Sequence, residues 1–141
     1  MSLFSVFGIA GSALNAETVR LNTTASNLAN AESESGDPAQ VYRAREPVFQ
    51  TILRSAGADP NTAGAIAGVR VLGIVQSQTP PSMRYQPDSP LANKRGYVYV
   101  SNVNPVEELA NMISANRSFA TDVDVINTTK NLLLKTIAMG G

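Results

Sequence analysis

The 141-residue chain contains no cysteine and no histidine. The first absence excludes disulfides, thiolate catalysis and the common cysteine-built structural zinc sites. The second removes the commonest general base and a principal transition-metal ligand. An enzyme built on this sequence would have to work with carboxylates or lysine. Charge is sparse as well: 16% of residues are charged, and 11 basic side chains balance 11 acidic ones. Affinity for nucleic acid rests on lysines and arginines that neutralise phosphates. Only Arg43/Arg45 and Lys94/Arg95 come close to clustering, so no nucleic-acid partner is expected.

Other signatures are missing too. Residues 1–16 carry no charged side chain, yet they do not read as a secretory signal. No Lys or Arg precedes the apolar residues, and Gly8, Gly11 and Ser12 dilute them. No run approaches the roughly 20 apolar residues of a membrane-spanning helix, so the chain is expected to be soluble. Neither a phosphate-cradling glycine loop nor a nucleophile elbow occurs. The acidic group Glu32, Glu34 and Asp37 follows no calcium-loop spacing and reads as a solvated linker. Glu107 and Glu108, being adjacent on a helix, point about 100° apart and suit dipole compensation better than acid/base chemistry. Glycosylation patterns at Asn22, Asn116 and Asn127 fall in predicted helices and are chance matches. No catalytic residue, cofactor, metal ligand or small-molecule substrate is indicated.

What the sequence does contain is a strong division. All 8 prolines and all 4 tyrosines lie between Pro38 and Pro105. Proline removes a backbone donor and breaks helices, so proline-free flanks around this middle predict two helices bracketing a β-rich insert. The fold class is α+β. Residues 1–30 and 105–141 would pair as a coiled-coil-like terminal domain, and 31–104 would form a small, irregular β-rich middle domain with a flexible segment near 54–67. In the first flank Leu3, Phe7, Ala10, Leu14, Glu17, Leu21, Thr24 and Leu28 follow heptad spacing. In the second, Leu109, Ile113, Asn116, Ala120, Val123, Asn127, Lys130, Leu134 and Ile137 do so, flanked by Met112, Phe119, Ile126 and Leu133. Ser2 suits the first N-cap; Asn104, followed by Pro105, suits the second. Strands are predicted within 41–53, 68–76 and 96–100, with the proline-rich 79–95 an extended connection.

Polar residues on these seams fix register and partner, and both helices are long for so small a middle. The apolar seams are therefore expected to pack between chains as well as within one. A different reading, a secreted carbohydrate- or peptide-binding β domain, follows from the tyrosines at 85, 97 and 99.

The stretch Thr23–Ala31, TTASNLANA, resembles the N-terminal signature of bacterial flagellar rod and hook axial proteins, with Asn27, Leu28, Ala29, Asn30 and Ala31 matching its Asn-Leu-Ala-Asn-Ala run. Glu32 stands where that group usually has a small hydroxyl residue. Two further blocks, YQPDSPLA (85–92) with GYV (96–98) and NVN (102–104), then MISANRSF (112–119) with NTTK (127–130), are similar to the proximal rod members. Those members often carry His where this chain has Ser89. The resemblance implies a non-enzymatic subunit of the proximal rod, part of the periplasm-crossing drive shaft, exported through the flagellar type III apparatus without a cleaved signal peptide. It implies as partners the other rod proteins, the adaptor joining rod to membrane ring, and further copies in a helical stack. Assembly contacts would then come from Leu3, Phe7, Leu14, Leu21, Asn27, Leu28 and Asn30 on the first helix. The second would contribute Leu109, Ile113, Asn116, Phe119, Val123, Ile126, Asn127, Leu134 and Ile137. Another rod- or hook-type subunit is the alternative within the same group.

Overall fold

The computed structural model describes residues 3–54 and 65–139. Along the chain lie α1 (Leu3–Ala29), β1 (Glu34–Ser35), β2 (Arg45–Arg54), β3 (Ala65–Gln76), β4 (Ser82–Tyr85), β5 (Tyr97–Val100) and α2 (Pro105–Met139). Two long helices around a small β region make the predicted α+β class. No described helix is long and apolar enough to cross a membrane.

Local chemistry sets the helix ends. Asn104 Oδ1 accepts the Val106 N–H at 3.1 Å, and the Asn104 carbonyl accepts the Glu108 N–H at 3.0 Å. Asn104 is thus an N-cap with proline at the first helical position, where a missing N–H costs nothing. At the end of α1 no basic side chain faces the carbonyls. Asn30 supplies a donor instead, its Nδ2 reaching the Ser26 carbonyl at 2.8 Å. Within the helices Thr18, Thr121, Thr129 and Thr136 each donate a hydroxyl to the carbonyl four residues back. Poor helix formers are thereby satisfied inside their own helix. Ser2, Gly140 and Gly141 lie outside the described residues.

The described chain divides into two compact units, each holding part of both helices and part of β2 and β3. In the unit of residues 1–19, 48–73 and 114–141, the buried helical side chains are small: Ala10, Ala16, Ala115 and Thr129. Here Ser12 on α1 donates its hydroxyl to the Ile9 carbonyl at 2.7 Å and accepts the Val69 N–H at 3.0 Å. Gly68, next to Val69, has φ +146°, and a Cβ there would run into Ser12 Oγ. β2 and β3 form a separate two-stranded sheet. The bonds Ser77 N–H to Ala44 carbonyl and Arg70 Nη2 to Gln50 Oε1 pair rising with falling numbers, so the strands run antiparallel.

In the unit of residues 20–47 and 74–113, a three-stranded antiparallel sheet has the order β1-β5-β4. Its registers are Glu34 opposite Val100 and Ser35 opposite Tyr99 on one side of β5. On the other, Met83 faces Tyr99, Arg84 faces Val98 and Tyr85 faces Tyr97. Side chains alternate across a strand, so Val98 turns inward, fully buried. On the same face Arg84, opposite Val98, meets Glu34, opposite Val100, at 3.3 Å. Ala31, Val41, Ser101 and Val103 complete the buried set of this unit, with Thr23, Thr24 and Asn27 from α1.

Two expectations for the middle change. The acidic stretch 32–35 is more than a solvated linker, because Glu34–Ser35 pairs with β5, and the Ser101 N–H continues the ladder to the Ser33 carbonyl. The proline-rich 79–95 contains β4, whose four residues fall between Pro81 and Pro87. Proline excludes a central strand but leaves an edge strand room to form. The predicted flexible segment near 54–67 lies mostly outside the described residues, and Ala65 onward belongs to β3.

Candidate assembly interface

Asn27 is the most tightly held side chain of the signature stretch. Only 1% of it is exposed, and with Val98 it is one of the two largest fully buried side chains. Its Oδ1 accepts the Tyr42 hydroxyl at 2.9 Å and the Arg45 N–H at 2.9 Å, and its Nδ2 donates to the Arg45 carbonyl at 2.8 Å. A side-chain amide has two acceptor sites and two donors, so both acceptor sites and one donor of Asn27 are taken within the chain. It ties the last turn of α1 to Tyr42 and to the first residue of β2. Tyr42 also lies 3.2 Å from Ser26 Oγ, and the Arg45 guanidinium sits 5.3 Å from the centre of its ring.

Glu108 belongs to the same junction. Burial pushes its carboxyl above the ordinary carboxylate range, the hydrogen bond from Asn27 opposes that rise, Glu107 and Glu46 add to it, and Thr24 opposes it. A second amide fastens the other side. Asn102 Oδ1 accepts the Ala44 N–H at 2.8 Å and its Nδ2 donates to the Thr79 carbonyl at 2.8 Å. The Ala44 carbonyl in turn takes the Ser77 N–H at 2.8 Å.

The seam residues are placed differently. Phe7, Leu14, Leu21, Leu28 and Asn30 on α1 are half-buried, as are Phe119, Val123 and Ile126 on α2. Asn116 and Asn127 are exposed. Leu109 and Ile113 are each 49% exposed, Leu134 55% and Ile137 64%. Nothing is described of the Leu3 side chain. The buried helical positions belong to alanine, threonine and Asn27, and the large side chains of Leu109, Ile113, Leu134 and Ile137 are covered only in part by the chain itself. Val106, Val125, Leu132 and Met139 add to the exposed apolar set of α2. So do Val48, Phe49, Ile52, Leu72, Ile74 and Val75 on β2 and β3. A two-stranded sheet is marginal by itself, and apolar surface on this scale marks a contact surface.

Sequence reasoning picked out Asn27, but for contacts between subunits; it missed its partners Tyr42 and Arg45, and it gave Asn102 and Ser12 no structural role. The one usable signal was the pair of asparagines around Val103. Asn104 is legible as a cap from its following proline, whereas Asn102 bonds to residues far along the chain.

Comparisons with known proteins agree on the family. Residues 7–32 match the family described as Flagella basal body rod protein, and residues 94–139 match Flagellar basal body rod FlgEFG protein C-terminal. A protein of Escherichia coli O157:H7 named flagellar basal-body rod protein FlgC is 46% identical over 140 residues, spanning 99% of both chains. The protein of that name from Salmonella typhimurium is 44% identical over 140 residues, again 99% of each. Its counterpart in Buchnera aphidicola subsp. Baizongia pistaciae is 34% identical over 142 residues, also 99% of each.

Proposed function

The chain belongs to the FlgC family of flagellar basal-body rod proteins, a structural subunit of the rod, and from that premise we propose how it is incorporated. The apolar flanks of α1 and α2 pack against the corresponding helices of neighbouring subunits. The observation that carries this is the exposure of Leu109, Ile113, Leu134 and Ile137 on a 35-residue helix whose own buried positions are small. Each such side chain gains roughly 1.5–3 kcal/mol when covered. Contacts of this kind between unlike faces propagate as an open helical stack instead of closing into a dimer.

In this reading the apolar seam residues from Leu3 to Ile137 act between subunits, whereas Asn27, buried and bonded within its own chain, serves the single subunit, and the subunit works mechanically, with no chemistry of its own. Its place is the proximal rod in the periplasm. Its neighbours are other rod proteins, further copies and the adaptor to the membrane ring, and it reaches them through the type III export apparatus with its N-terminus uncleaved. The uncharged, glycine-diluted opening segment supports the last point, and the intact mass of rod-incorporated protein tests it.

Leu134→Asp and Leu14→Asp, introduced separately, should each abolish rod assembly and motility, while the purified variants keep the amide-exchange protection of β5. Normal swimming in both strains would end the packing reading without touching the family assignment.

A further inference from the structure

Three of the four tyrosines stand on one sheet. By register, Tyr97 and Tyr99 of β5 and Met83 and Tyr85 of β4 share the face opposite buried Val98. The face is open: Met83 and Tyr85 are each 64% exposed. Tyr85 and Tyr97 meet edge to face at 5.2 Å, which sets their planes 62° apart. Gly96 holds that corner, since its φ is +77° and a Cβ would lie 2.9 Å from the Tyr85 ring. The turn from β4 back to β5 adds Asn93, Lys94 and Arg95 beside Met83, Tyr97 and Tyr99 in one groove. Asn93 spends its Oδ1 on the Arg95 and Tyr97 N–H groups, at 2.9 and 3.1 Å, leaving its Nδ2 to donate elsewhere. No described residue forms an ion pair with Lys94 or Arg95, or a hydrogen bond with the three tyrosine hydroxyls.

Among the described residues this face differs from the exposed apolar side chains of α2, β2 and β3, which are Val, Leu, Ile, Met and Phe and suit protein packing. Here the rings carry hydroxyls, an amide donor stands ready, and Lys94 and Arg95, without an ion-pair partner among the described residues, rim the groove. A matching ligand needs flat C–H surfaces to lie on the negative ring faces, hydroxyls to exchange hydrogen bonds with tyrosine and asparagine, and negative charge opposite Lys94 and Arg95. We propose that the β4–β5 face with Lys94 and Arg95 binds a carboxylate-bearing glycan. An acidic peptide meets the charge requirement, yet it would be read by main-chain bonds along the free edge of β4 and would leave the hydroxyls unused. The proposal stands apart from helix packing in the rod.

The full-length protein should be titrated with hyaluronate hexasaccharide, a polymer of amino sugar and uronate, following tyrosine fluorescence, to which no tryptophan contributes. Saturable binding is expected, weakened by about tenfold in Tyr97→Ala and in Arg95→Gln. Lys94→Gln, on an exposed turn, should weaken it also and guards against misfolding of the tyrosine variant. Chitohexaose, the neutral counterpart, should bind more weakly. Leu134→Asp should bind as the parent does, so that a defect in rod assembly and a defect in this site are separable. Hexaglutamate binding as tightly as the sugar would replace the glycan with an acidic peptide. Absence of saturable sugar binding, or binding by Arg95→Gln and Lys94→Gln as tight as by the parent, would overturn the site.

Discussion

Asn27 shows what one buried amide does in a chain whose apolar core is thin. Truncating it strands the Arg45 N–H and carbonyl and the Tyr42 hydroxyl. A buried polar group left unsatisfied costs about 1–3 kcal/mol, so Asn27→Ala should lose at least about 2 kcal/mol in urea unfolding followed by circular dichroism. Asn30, half-buried and bonded only within its own turn, should lose no more than about 1 kcal/mol on the same change. Equal losses would refute the junction as described. Glu108 adds a pH dependence. Its folded pKa is raised, so its contribution to stability is fully present below the unfolded value and is lost as pH rises through the folded one. The stability of Glu108→Gln relative to the parent should accordingly grow as pH rises from the unfolded carboxylate value toward neutrality. A parent-to-variant difference that stays flat with pH would contradict the burial of this carboxyl. Of these residue-scale facts the sequence disclosed the Asn104 cap, because caps are local; it singled out Asn27 for contacts between subunits and not for this junction. It did not disclose Tyr42 or Asn102, whose bonds reach across 15 and 58 residues respectively.

Among the elements, legibility follows the same division. α2 was readable from its cap, its proline and its apolar period, all contained within the helix. β1 and β4 were not, because a strand of two or four residues is defined by its partner, and both depend on β5. β3 carries an element-scale prediction at its two glycines. Gly68 occupies positive φ against Ser12, so Gly68→Ala should cost more than about 1 kcal/mol and speed amide exchange at Val69. Gly73 has open space around it. Gly73→Ala should be neutral or slightly stabilising, and the same exchange experiment reads both.

For the molecule as a whole, periodicity located the apolar residues of the helices but could not say which of them the chain itself would cover. Alanine at 10, 16 and 115 takes the buried places, and many of the bulky residues stay exposed. Exposure on both α2 and the β2–β3 sheet predicts a sticky monomer. Replacing Leu132 and Ile137 by Gln should lower self-association in analytical ultracentrifugation without lowering the unfolding midpoint. A fall in the midpoint would mean that these side chains support the single chain after all.

The buried amide of Asn27 also imposes an order in time. Its hydrogen-bond partners outside α1, Tyr42 and Arg45, come later in the sequence. In any process that delivers the chain amino end first, residue 27 arrives before anything that can hold it. Closing that junction reports that the chain is present at least as far as residue 45.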